Sequence, residues 1–193
     1  MPNWCSNSIA FYQEDGSVAL LQAFYADVQK YEDGEWVACM LKAHGVNTDE
    51  MYTRGFFQLC ELNSDHVRID METAWGPLSE VWTAMAERYN LSYVYASEEC
   101  GMSVYVNTDT EGRFFTDRYI LDYFDVDDLG ISPDVLAKYG KRLKQLSEET
   151  TYYEDFDDVV KDFKSLGFYG DNIENLNKHL EKFNLMVHEF SAE

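Results

Sequence analysis

The chain is poor in cations. Lys and Arg number 15 among 193 residues, Asp and Glu number 36, and the net charge is −21. Holding nucleic-acid phosphate or anionic lipid takes a surplus of Lys and Arg, so direct binding to either is not expected. Cysteine is sparse as well. Cys5, Cys39, Cys60 and Cys100 are widely spaced and form no CxxC pair. That pattern excludes an iron–sulfur cluster and predicts thiols, mostly half-buried in strands or helices, rather than a disulfide scaffold. The opening MPNWCSNS has neither the basic leader nor the apolar stretch of a signal peptide. No run reaches the roughly 18 apolar residues of a membrane span. A cytoplasmic protein is the expectation.

Catalytic signatures are missing too. There is no GxSxG elbow, no GxxxxGK loop and no GxGxxG turn. The histidines His44, His66, His179 and His188 never fall four residues apart, so a helical zinc pair is absent. Acids do cluster, at Asp125, Asp127 and Asp128 and again at Glu154, Asp155, Asp157 and Asp158. The first cluster, DVDDLG, begins like a calcium loop but fails it: the fifth position is Leu129 and the twelfth is Leu136, where a bidentate Glu belongs. The second sits where a helix begins and where acids favour the helix dipole. No metal or other cofactor is expected.

What is present is core material: 46% hydrophobic and 16% aromatic residues. That suffices for one domain of ordinary size, with or without an extension. SIAFY (8–12) reads as a strand. Ser17 stands where it could cap a helix carrying Val18, Leu21, Phe24, Tyr25, Val28 and Tyr31 at helical spacing. Trp36 to Leu41 suggests a short helix stopped by Gly45, and NTDEMYTRG could add another turn. FFQLCEL (56–62) reads as a strand. HVRIDMETAW (66–75) alternates, with Val67, Ile69, Met71 and Thr73 on one face and Arg68, Asp70 and Glu72 on the other. Two acids on that solvent face argue against RNA binding to an open sheet. Gly76-Pro77 predicts a helix start, Leu78 to Tyr89 an amphipathic helix, and Asn90 its end. LSYVYAS (91–97) and MSVYVNT (102–108) predict two more strands.

The order strand, helix, strand, strand, helix, strand predicts an α+β fold. Two right-handed strand–helix–strand units make a ferredoxin-like split β-α-β antiparallel sheet with helices on one face. Residues 1–124 form this domain, and residues 125–193 form an acidic helical extension. Within the extension, helices are expected after Ser132-Pro133, from Phe156 to Leu166 before Gly167, and from Ile173 to Phe183. LMVHEF (185–190) would close it as a strand.

The acids are spread over folded elements. Residues 1–108 hold 16 acidic and 5 basic side chains, residues 109–162 hold 15 and 7, and the remainder hold 5 and 3. The basic exception is Lys138, Lys141, Arg142 and Lys144, clustered on one predicted helix. Regularly placed carboxylates on a folded surface can imitate a phosphate backbone and enter the basic channel of a nucleic-acid enzyme.

The opening MPNWCSN, the junction TAWGP at 73–77 and the segment YASEECGMSVYVNTD at 95–109 together resemble the YubB-type ferredoxin-like proteins of plasmids, phages and other mobile elements. The resemblance covers about residues 1–124. It implies the ferredoxin-like fold, agreeing with the pattern, and carries over no catalytic residues. Trp4, Cys5 and Trp75 are expected to pack the core. A mobile-element origin and the charge together lead to one expectation, by analogy: a non-enzymatic inhibitor of a host defence nuclease, of anti-CRISPR or anti-restriction type. Its partner would be a basic nucleic-acid-binding protein such as a Cas or restriction nuclease. The residues expected at the contact are Asp125, Asp127, Asp128, Glu154, Asp155, Asp157 and Asp158. The alternatives are a metal-dependent enzyme using the same carboxylates, and a regulatory or structural module that binds an ordinary host protein of unknown identity, its basic helix pairing with its own acidic surface or with a second copy in a homodimer.

Overall fold

The computed structural model describes residues 3–31, 34–123, 150–165, 167–181 and 185–192. Asp125, Asp127, Asp128, the basic cluster at 138–144 and the helix expected after Ser132-Pro133 lie outside the described residues. The chain is a mixture of α-helix and antiparallel sheet. Contacts divide it into two units: Met1–Phe115 with Ala192–Glu193, and Thr116–Ser191. No helix among the described residues is long and apolar enough to cross a membrane.

The first unit is built on β1 (Trp4–Tyr12), α1 (Ala19–Val28), α2 (Val37–Ala43), β2 (Gly55–Leu62), β3 (His66–Ala74), α3 (Ser79–Tyr89), β4 (Ser92–Glu99) and β5 (Val104–Asn107). The strand order is β2-β3-β1-β4-β5, and every neighbouring pair is antiparallel. β1 and β2 therefore run in the same direction with β3 between them, and β3 and β4 do so with β1 between them. Helices fill both of those connections. One core takes Ile9, Phe11, Val67, Ile69 and Met71 from the sheet. It packs them against Leu21 and Phe24 of α1, Met40 of α2, and Val81, Trp82 and Met85 of α3. All five sheet residues are odd-numbered members of their strands, so the three helices share one face. Trp82 is fully buried, worth about 1.5–3 kcal/mol by its area alone.

Local details depart from expectation where side-chain chemistry competes. Ser17 does not cap α1. Its own N–H donates to Asp15 Oδ1 at 2.8 Å, and Val18 occupies the cap position with no side-chain bond. NTDEMYTRG makes a turn rather than a helix, with Asn47 Oδ1 accepting from the Asp49 N–H at 3.0 Å. Pro77 stands before α3 instead of opening it. Asn90 ends α3 in the left-handed region at φ 52°, which Asn tolerates better than most residues.

The second unit holds β6 (Tyr119–Tyr123), β7 (Thr151–Tyr153), α4 (Phe156–Ser165), α5 (Ile173–Leu180) and β8 (Leu185–Glu189). Its sheet has the order β7-β6-β8, antiparallel throughout. Val159 and Phe163 of α4 and Leu176 and Leu180 of α5 bury against Leu121, Leu185 and Val187. Asn177 clasps β8 from the helix side: its Nδ2 donates to the Val187 carbonyl and its Oδ1 accepts the Val187 N–H, both at 2.8 Å. Gly170 lies so close to α5 that a Cβ there would meet the Leu176 backbone nitrogen at 2.6 Å.

Candidate functional site

Residues 3–7, 73–77 and 97–103 come together at one end of the first sheet. Register places Cys5 opposite Thr73 and Asn7 opposite both Met71 and Ser97. Asn7 is a polar residue on the buried face, and its side chain is satisfied there. Its Nδ2 donates to the Cys5 carbonyl at 2.7 Å, to the Met71 carbonyl at 3.2 Å and to Thr73 Oγ1 at 2.8 Å. Its Oδ1 accepts from Ser97 Oγ at 2.7 Å. The Thr73 hydroxyl donates in turn to the Gly76 carbonyl at 2.7 Å. A buried amide is stable only with its bonds made, so this knot fixes the register of three strands. Burial pushes the Cys5 thiol up to about 12, with Glu99, Glu72 and Glu98 adding to the rise against a bond to Thr73. Such a thiol carries almost no thiolate at neutral pH and is not a nucleophile.

Beyond the knot the chain turns sharply. Trp75 has φ 74°, a strained conformation for a bulky residue. Its N–H donates to the Asn3 carbonyl at 2.9 Å. Glu99 accepts from the Gly101 and Met102 N–H groups at 2.9 and 2.6 Å and so closes the adjoining turn. Cys5 is buried as expected, but Trp4 and Trp75 are not core residues: they are 38% and 46% exposed. Even positions of β1 point away from the helices, which removes Trp4 from the core, and the left-handed Trp75 breaks the alternation of β3.

The sheet face opposite the helices carries rows of side chains. One row runs Trp36, Phe56, Glu72, Ser6, Glu98 and Tyr105; the next runs Leu59, Asp70, Ser8 and Ala96. Ser6 Oγ donates to Glu72 Oε1 at 2.9 Å, and Ser8 Oγ donates to Asp70 Oδ1 at 2.7 Å. Arg68 is consumed within the face, its guanidinium bonding Asp70 and Ser8 at 3.0 and 3.1 Å. At the far end Phe114 lies over Tyr12 and His66, with ring centroids 5.1 and 4.8 Å apart. Arg113 stacks on Tyr12 and Phe114 and pairs with Asp65. At the near end the aromatics are open. Phe56 makes edge contacts with Trp4 at 5.2 Å and with Trp36 at 6.0 Å, and Trp36 is 44% exposed.

The other candidates have structural employment. Asp155 Oδ1 accepts the Asp158 N–H at the start of α4, and Asp158 pairs with Lys161. Glu154 and Asp157 are exposed beside them. His66 bonds Asp65, and His188 lies 3.9 Å from Asp122, its pKa lowered by burial against that carboxylate's pull. His44 belongs to a knot that sequence reading missed. Tyr89 of α3 donates to Asp27 Oδ2 of α1 at 2.7 Å, Lys30 holds Asp27 Oδ1 at 2.7 Å, and His44 Nε2 is 3.3 Å from the Tyr89 hydroxyl. In the second unit an open groove of about 650 Å³ is lined by Lys164, Tyr169, Asp171, Lys178 and His179. Lys178 there is bound to Glu174 and the groove keeps the Asp171 carboxylate, so its cations are largely offset. Among the described residues no three of His, Cys, Asp and Glu are placed to hold a metal ion. Exposed tryptophans beside carboxylates are suited to binding a cationic protein surface. No protein-family model, curated protein or solved structure matches the chain.

Proposed function

We propose that this chain is a non-enzymatic, acidic mobile-element protein that acts in the cytoplasm by binding and inhibiting a host defence nuclease of CRISPR or restriction type. The observation that carries the reading is the excess of 36 acids over 15 bases, with acids grouped on the surface of the described elements. Glu61, Asp70, Glu72 and Glu98 stand on one sheet face, where Arg68 is the one cation in the same rows and is already held by Asp70. A second acidic surface, with Glu154, Asp155, Asp157 and Asp158, opens α4. Such surfaces compete with phosphate for a Lys- and Arg-lined channel. Membership of the YubB-type ferredoxin-like proteins belongs to the same proposal. The strand order β2-β3-β1-β4 with helical crossovers supports it.

The test is a cleavage assay in which a panel of Cas and restriction nucleases is incubated with the full chain before DNA is added. Inhibition of at least one nuclease, relieved by Glu61→Lys with Glu72→Lys, is expected. Absence of both binding and inhibition across the panel sinks the reading.

A further inference from the structure

Three of the four tryptophans, Trp4, Trp36 and Trp75, are 38–46% exposed, while Trp82 is fully buried. Large aromatics left in water at one sheet end cost hydrophobic free energy, and they are the side chains that most often anchor interfaces. Two of them, Trp4 and Trp36, flank Phe56, and Glu72 lies next to Phe56 in the same row. Both bonds that Glu72 accepts, from Ser6 and Gln58, fall on Oε1. A flat aromatic face beside a carboxylate is the chemistry that recognises guanidinium: the ring takes the cation's face and the carboxylate takes its N–H edge.

One arginine is already there. Arg54 has 36 acids in its chain and no ion pair among the described residues. Its guanidinium carbon lies instead over the Trp4 ring, 5.8 Å from the centroid. We infer that the corner formed by Trp4, Phe56, Trp36 and Glu72 is a docking slot for an arginine side chain of a basic partner protein, and that Arg54 holds the Trp4 face as an intramolecular stand-in until the partner displaces it. The inference rests on the binding reading above and names the part of the surface that discriminates among cations. An acidic surface alone attracts Lys and Arg equally; an aromatic slot prefers Arg, whose planar cation stacks.

The probe is a pair of nine-residue peptides, one all arginine and one all lysine. Each is titrated into the full chain at 0.15 M salt and followed by tryptophan fluorescence and calorimetry. The arginine peptide is expected to bind at least fivefold more tightly. Trp4→Ala should reduce that preference to less than twofold. Arg54→Ala should tighten arginine binding roughly threefold to tenfold, because it removes both a competitor and a repelling charge. A gain of this kind cannot come from misfolding. Equal affinity for the two peptides overturns the inference, as does a preference that survives Trp4→Ala with Trp36→Ala. The nuclease panel separates the two claims. Arginine preference without inhibition of any nuclease removes the proposed function and leaves the slot. Inhibition that the slot variants do not change removes the slot and leaves the function.

Discussion

Asp27 joins the ends of three helices through one carboxylate. It accepts Lys30 on one oxygen and the Tyr89 hydroxyl on the other, and His44 closes the group. The Lys30 bond first, and the Tyr89 bond second, hold its pKa below the usual carboxylate range. The folded value thus lies below the unfolded value of about 3.9. The contribution is fully present above the unfolded value and is lost as the pH falls through the folded one. Asp27→Asn is expected to lower stability at pH 7 by about 1 kcal/mol, since hydrogen bonds to a charged group are worth more than neutral ones. The gap between wild type and variant, read from thermal melts between pH 7 and pH 2, should close below about pH 4. A gap that stays constant across that range would mean the charge contributes nothing. None of this was legible in the sequence, because Asp27 stands on α1, Tyr89 on α3 and His44 just after α2, and they meet only after packing. Arg68, Asp70 and Glu72 were legible, because period-two alternation in one strand assigns faces without tertiary information. Trp4 and Trp75 depart from the core placement that their hydrophobicity predicts, because strand parity and a left-handed residue decide their exposure.

At the level of elements, strands flanked by turns were readable and strand lengths were less so. β1 begins at Trp4 and not at Ser8, because Asn7 interrupts the apolar alternation while sitting on the buried side. Its amide is fully bonded to neighbouring strands, and no local pattern announces those partners. β6 and β7 went unassigned for a related reason: β6 pairs with β8, more than sixty residues later in the chain, and β7 has only three residues. The end of β3 is the element most open to a direct test. Replacing Trp75 by Ala or by Gly removes the same indole, so the two variants differ in the cost of φ 74°, set against the larger backbone entropy that glycine loses on folding. Glycine adopts that conformation freely and alanine does not. Trp75→Gly is expected to be more stable than Trp75→Ala by about 1 kcal/mol, the reverse of their usual ranking, in chemical denaturation. If alanine is as stable as glycine, the turn after β3 carries no backbone strain.

For the molecule as a whole, the charge of −21 acts in opposite directions on folding and on association. Like charges spread over folded surface repel one another and weaken the compact state. Few cations offset them: among the described residues Lys30, Arg68, Arg113, Lys161 and Lys178 are each drawn into an ion pair, three of which are local contacts within one helical turn. Raising salt from 0.01 to 0.3 M shortens the screening length from about 30 Å to below about 10 Å. The melting temperature of the free chain should therefore rise by several degrees. Association with a basic partner is steered by the same field, so its rate should fall at least tenfold over the same interval. Both can be measured on one preparation, by differential scanning calorimetry and by stopped-flow mixing with the arginine peptide. An acidic surface whose charges were already neutralised within the fold would leave both quantities flat. A rate that falls while the melting temperature does not rise would place the attracting charge in one local patch, such as the rows of Glu72 and Asp70, and not across the folded surface.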